Sequence, residues 1–209
     1  MIQAKRPVIL SPSSTLDEAV RAFKSGGVIA YPTETFYGLC VDPFNMEAVG
    51  NLFRLKGRPG KNPVSVIIKD VPMLSAVASD VPPAALDLIK RFWPGPLTIV
   101  FKASPSVPPE LTGDTGKIGV RVSSNPLAAR LSSVLGSPIT ATSANPTGKK
   151  PAVAPEEVLE YFNGRIEVLI DGGALPGKTG STVVDVTSGR VVVIREGDIP
   201  SKDLTGHFK

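Results

Sequence analysis

The residues best suited to chemistry are concentrated between positions 31 and 65. Thr33, Glu34, Thr35, Phe36 and Tyr37 follow a short apolar run, 28–31, that reads as a buried strand ending at Pro32. Hydroxyls, a carboxylate and aromatic faces in a turn at a strand end suit a site for a small polar molecule. Asn45 is positioned to cap a helix over 46–55, with Val49, Leu52, Phe53 and Leu55 as its apolar positions and Pro59 as its stop. Four cations, Arg54, Lys56, Arg58 and Lys61, fall within eight residues at the end of that helix. Two readings of them stand. Cations favour a helix C-terminus, where the dipole is negative. Alternatively, Lys56 and Arg58, one glycine apart, form a phosphate site in which Arg supplies a planar fork and Lys a point charge. Asn62 and Pro63 then open a second apolar strand over 64–68.

Three further places carry polar groups at strand ends. Arg121 lies in an apolar strand over 118–122, either as an edge residue or as a cation directed into a cleft. Ser143 and Asn145 follow a strand over 138–142 and could bond phosphate or ribose, although Asn-Pro and Thr-Gly also make simple turns. Residues 172–179 satisfy the phosphate-loop pattern G-x-x-x-x-G-K-[ST] letter for letter. That loop must open a helix whose first amides hold the phosphates. Here Pro176 removes one amide, and 181–186 reads as a strand. The segment is therefore expected to be a flexible Gly-rich connection between two strands.

The elements that must position these groups alternate early and pair late. A capped amphipathic helix is expected over 16–23, ended by Gly26-Gly27. Another starts at Pro82-Pro83 and presents Leu86, Ile89, Phe92 and Trp93 on one face until Pro94-Gly95-Pro96. Strands are expected over 97–101, 166–170 and 190–195, helices over 126–135 and 155–162, and a surface loop over 103–117, rich in Pro, Ser and Gly. This order predicts an α/β protein with a mixed twisted sheet. The 209 residues are within the range of one domain, and no interdomain linker is evident.

Composition excludes more than it suggests. The chain holds one histidine, His207 in the tail, and one cysteine, Cys40. A Ser-His-Asp triad or a His/Cys zinc site has almost nothing to be built from, and no internal disulfide can form. Cys40 follows Leu39 in an apolar stretch and reads as a packing residue. The net charge of +4 mildly favours anionic partners such as nucleotides or RNA. No apolar run approaches a membrane span, and the N-terminus lacks a signal-peptide core, so a cytoplasmic protein is expected.

PTETFYG followed by KGRPGKNP, then TSANPTG, STVVD and IREG, resembles the YrdC-like family of threonylcarbamoyl-AMP synthases over about residues 15–197. The resemblance implies a single YrdC-like domain, 1–209, in which a twisted mixed sheet flanked by helices lines one open, positively charged cavity. It implies an enzyme joining L-threonine, bicarbonate and ATP into threonylcarbamoyl-AMP for modification of the tRNA adenosine beside the anticodon. Mg²⁺ would be carried by the phosphates, and no metal would be held by the protein itself. Lys56 and Arg58 would neutralise phosphate. Arg58, Asn62, Lys117, Ala141, Ser143, Asn145 and Arg195 would contact ATP, and Thr35, Arg121 and Ser181 would hold threonine. Substituting Lys56 or Arg58 would then abolish product and leave the fold intact. Two positions depart from relatives: Ile67 stands where some have a histidine that contacts threonine, and Lys117 where some have a threonine. The chain matches the short form of the family. Binding to double-stranded RNA or tRNA is a further expectation. The rival readings are an RNA-binding module with no turnover, and a nucleotide-binding paralogue without this activity.

Overall fold

A computed structural model of the chain describes residues 6–57, 62–177 and 179–205. Among these, ten strands and seven α-helices run in the order β1 (Val8–Leu10), α1 (Asp17–Lys24), β2 (Ile29–Pro32), β3 (Tyr37–Cys40), α2 (Met46–Lys56), β4 (Ser65–Ile67), α3 (Pro83–Phe92), β5 (Leu97–Lys102), α4 (Pro109–Thr112), β6 (Lys117–Arg121), α5 (Pro126–Leu135), β7 (Ile139–Ser143), α6 (Pro155–Phe162), β8 (Val168–Ile170), β9 (Thr182–Asp185), β10 (Val192–Arg195) and α7 (Ser201–Thr205). The strands form one sheet in the order β1-β8-β2-β3-β7-β4-β6-β5-β9-β10. It is mixed, as expected. β8 lies parallel to both β1 and β2, whereas β3 and β4 both run antiparallel to β7.

Alternation along the strands builds a core on each side of the sheet. Ile29 and Tyr31 pack with Phe23, Ala128 and Leu131 from α1 and α5, while Val28 and Ala30 join Leu52, Leu88 and Phe162 from α2, α3 and α6. Cys40 is fully buried, as a packing residue should be. Asn45 caps α2 through its side chain, which accepts from the Ala48 amide at 3.1 Å. The helix then ends at Gly57 in the left-handed conformation, before the expected stop at Pro59.

Several expectations need correcting. The turn read over 33–37 is shorter: Tyr37 already pairs with Pro32, the last residue of β2 as expected, so β2 and β3 make a hairpin. Leu16, not one of the preceding hydroxyl residues, stands at the start of α1 and offers no side-chain cap. On α3 the buried face is Ala85, Leu88 and Ile89, and Leu86 is 52% exposed. The segment 103–117 is no loose surface loop. Val107 and Leu111 are buried in it, α4 forms within it, and Leu111 O accepts from Val64 N at 2.8 Å. No helix among the described residues is long and apolar enough to cross a membrane.

Candidate active site

The hairpin, β4–β7 and the β9–β10 pair enclose a cavity of about 590 Å³. Among the described residues, its charged lining residues are Lys117, Arg121, Arg195 and Asp185. Hydroxyls from Thr33, Thr35, Ser65, Thr98, Ser143 and Ser181 face the same space. Seven residues singled out in the sequence, Thr35, Lys117, Arg121, Ala141, Ser143, Ser181 and Arg195, converge here from three separate strands and two connections.

The hairpin turn is shaped by one hydroxyl. Thr33 Oγ1 accepts from the amides of Thr35 (3.2 Å) and Phe36 (3.3 Å) and donates to Phe36 O at 2.7 Å. This places Thr35 and Phe36 on the cavity wall and turns Glu34 toward β6. There Glu34 Oε1 accepts from Arg121 Nη1 at 2.9 Å, and Ser123 Oγ donates to Oε2. Arg121 is 6% exposed and lies on an interior strand, between β4 and β5, which removes the edge-residue reading. A guanidinium so buried needs a counter-charge, and Glu34 supplies it from 87 residues away.

Arg195 closes the opposite wall. Its Nη2 donates to Ser181 O at 2.7 Å and to Ser181 Oγ at 3.2 Å. Desolvation at the wall, and then the nearby positive charge of Arg121, pull its guanidinium below its usual pKa. Two cations that repel across one cavity create a place for an anion. Lys117 donates to Asp185 Oδ2 at 2.7 Å, reaching over β5 between them. Burial raises the Asp185 carboxyl pKa, but hydrogen bonds from Lys117 and Thr187 outweigh it, and the net shift is downward.

Lys56 sits behind the cavity. It is 4% exposed, and its Nζ donates to Ser143 O and, at 2.8 Å, to Asn145 O. Asn145, also buried, uses Nδ2 to hold Pro146 O (3.0 Å) and Lys149 O (2.8 Å), while its Oδ1 has no partner among the described residues. Neither residue lines the cavity, and neither does the exposed Asn62. Ile67 is fully buried in the core beneath α1 and α5, away from the cavity. Arg58 and Lys178 lie outside the described residues. The rest of the Gly-rich connection, 171–177, forms no helix, and β9 follows it, as the strand reading expected. Tyr37 anchors the connection: its hydroxyl donates to Gly173 O and accepts from Gly172 N, both at 2.9 Å.

Sequence reasoning gave no role to Thr98, Ser123 or Asp185, and placed the Glu34 carboxylate in the polar turn without a partner. Thr98 and Asp185 carried a usable signal, a polar residue within or ending an apolar strand, the same signal that drew attention to Arg121. Nothing in the sequence pairs Glu34 with its partner.

The family model for Sua5, YciO and YrdC proteins, described as telomere recombination, matches residues 21–197. The chain belongs to the Sua5/YciO/YrdC family. Within that family it is 39% identical over 181 residues to the threonylcarbamoyl-AMP synthase of Pyrococcus abyssi, covering 87% of this chain and 53% of that one. It is 40% identical over 174 residues to the threonylcarbamoyl-AMP synthase of Methylobacillus flagellatus, covering 81% and 93%. The structure of P. abyssi Sua5 complexed with L-threonine superposes with a TM-score of 0.89 at 35% identity, covering 97% of this chain and 62% of that one. The chain thus spans about half the length of the P. abyssi relative and nearly all of the shorter one. The Sua5/YciO/YrdC fold accounts for the mixed sheet flanked by helices.

Proposed function

We propose that this chain is an L-threonylcarbamoyladenylate synthase, acting as one unit over 1–209 in the cytoplasm. The observation that carries this reading is the convergence of threonine-type and nucleotide-type residues on one cavity with opposed Arg121 and Arg195. Relatives named threonylcarbamoyl-AMP synthase, at 39% and 40% identity, support it.

The amine of L-threonine and bicarbonate give a carbamate and water. A carbamate oxygen then attacks the α-phosphorus of ATP, and the bond to the β-phosphate oxygen breaks to release pyrophosphate. The nucleophile is already an anion, so the adenylation step needs no histidine base. It needs alignment and charge compensation, which fixed donors around a desolvated cavity supply. Thr35, Arg121 and Ser181 hold threonine, with Arg121 opposite its carboxylate. Arg58, Lys117, Ala141, Ser143 and Arg195 contact ATP, and Asn62, outside the lining, would do so from the rim beside the lining residue Pro63. Lys56 and Asn145 serve the nucleotide from behind, by fixing the backbone that carries Ser143. For Lys117 to reach phosphate, its bond to Asp185 must open.

Mg²⁺ would arrive on the phosphates of ATP. There it would neutralise phosphate charge. The product feeds threonylcarbamoyladenosine formation on tRNA, and tRNA or double-stranded RNA is the macromolecular partner.

The test is pyrophosphate release from ATP with bicarbonate stripped out and then restored, with mass spectrometry of the product. Release should require both L-threonine and bicarbonate. Equal rates with and without bicarbonate would point instead to an amino-acid adenylase or a simple ATPase.

A further inference from the structure

We propose that Thr98 is a positioning residue that makes the Ser181 hydroxyl an obligatory donor toward an anionic oxygen of the amino-acid substrate. A serine hydroxyl has one proton and two lone pairs. Ser181 Oγ accepts from Thr98 Oγ1 at 3.0 Å and from Arg195 Nη2 at 3.2 Å, so both lone pairs are engaged. Its own proton is left over, and Ser181 lines the cavity.

Thr98 is itself held firmly. It is 3% exposed on β5, whose neighbours are β6 and β9. Its Cγ2 methyl packs over Gly119 of β6, only 3.0 Å from where a side chain on that glycine would begin. A β-branched side chain has few χ1 wells, and seating the methyl against β6 directs Oγ1 toward Ser181. A free serine hydroxyl can turn to donate or accept. Here that freedom is removed, and the site at Ser181 selects an acceptor.

The surroundings agree in sign. Arg121 and Arg195 face the same cavity, so a ligand ammonium placed beside Ser181 would meet a third donor and two guanidinium groups. A carboxylate oxygen meets the Ser181 hydroxyl and two guanidinium groups, and the Asp185 carboxylate on the same lining is already bonded to Lys117. This rests on the proposed function for the identity of the ligand, and adds which residue fixes the polarity of the contact.

The test is calorimetric binding of L-threonine and, separately, of ATP to the full chain and to the variants Thr98→Val, Thr98→Ser, Ser181→Ala and Thr98→Val/Ser181→Ala. Thr98→Val should weaken L-threonine binding about tenfold, the worth of one directed hydrogen bond, and leave ATP binding within about twofold. Thr98→Ser should restore most of the loss. The double variant should bind no more weakly than Ser181→Ala alone, because Thr98 acts only through that hydroxyl. Unchanged L-threonine affinity in Thr98→Val, additive losses in the double variant, or failure of Thr98→Ser to rescue would each overturn the assignment. Absence of L-threonine binding to the unaltered protein would overturn the proposed function together with it.

Discussion

A buried ammonium must find oxygen, and Lys56 finds two backbone carbonyls, those of Ser143 and Asn145. Removing it strands buried acceptors as well as any charge it lends to the nucleotide. Lys56→Ala should therefore cost stability, about 2–4 kcal/mol, besides lowering activity, contrary to the sequence expectation of an intact fold. Urea unfolding checks this, and an unchanged midpoint would mean that the ammonium does not hold the segment. Arg121 gives a second prediction. Glu34 holds one arm of its guanidinium, so Glu34→Ala should raise KM for L-threonine about tenfold with KM for ATP unchanged, and Glu34→Gln should do less harm. Steady-state pyrophosphate release reads both; equal rises in the two KM values would place Glu34 in general folding instead. At this scale the sequence was legible wherever a polar residue interrupted an apolar run, as at Arg121 and Ser143. It was silent on direction. The spacing that marked Lys56 as a phosphate ligand does not reveal that its side chain turns to the backbone after β7.

Elements set where these groups stand, and two contacts between elements are open to direct test. Tyr37 on β3 fastens the Gly-rich connection, and burial pushes its phenol up to about 12. A phenol with a raised folded-state pKa binds its proton more tightly folded than unfolded. Its contribution is full below about pH 10 and is lost as pH climbs toward 12. Tyr37→Phe should flatten that part of the stability curve, measured by urea midpoints between pH 9 and 12; an unaltered alkaline slope would exonerate the phenol. Gly197, after β10, lies against backbone: a Cβ there would stand 2.3 Å from Gly180 O and 2.5 Å from Ser181 C. No side chain can move aside to relieve this, so Gly197→Ala should displace Ser181 and weaken L-threonine binding at least tenfold in the calorimeter. Element existence was largely readable, from Asn45 capping α2 to the strand after the Gly-rich connection. Burial was less so. The 3.6-residue period placed Leu86 inside α3, but the helix is rotated by what it meets, and Leu88 is buried instead. Composition made 103–117 a surface loop, whereas Leu111 is buried and its carbonyl accepts from Val64 N, a contact that local pattern cannot encode.

For the molecule as a whole, a cavity walled from both halves of the sheet ties ligand binding to global stability. ATP at about 100 times its Kd should stabilise the fold by about 2.7 kcal/mol and raise Tm by roughly 5–10 °C. A thermal scan with and without nucleotide checks this, and no shift at saturation would place the nucleotide elsewhere or nowhere. The strand order was the least legible property of the sequence, because no local pattern says that β8 enters between β1 and β2. That insertion governs how the protein is made. During synthesis β1 and β2 leave the ribosome with a strand-wide gap between them, lined by unpaired amides and carbonyls and by Ile29, Tyr31 and Leu10. Only when residue 170 has emerged can the gap close, roughly 10–30 s after β1 at ordinary translation speeds. Through that interval the nascent chain presents open edges of the kind on which stray strands add, and β7 fills a second such gap between β3 and β4. Newly made chains should therefore depend on a holding chaperone far more than the finished protein does.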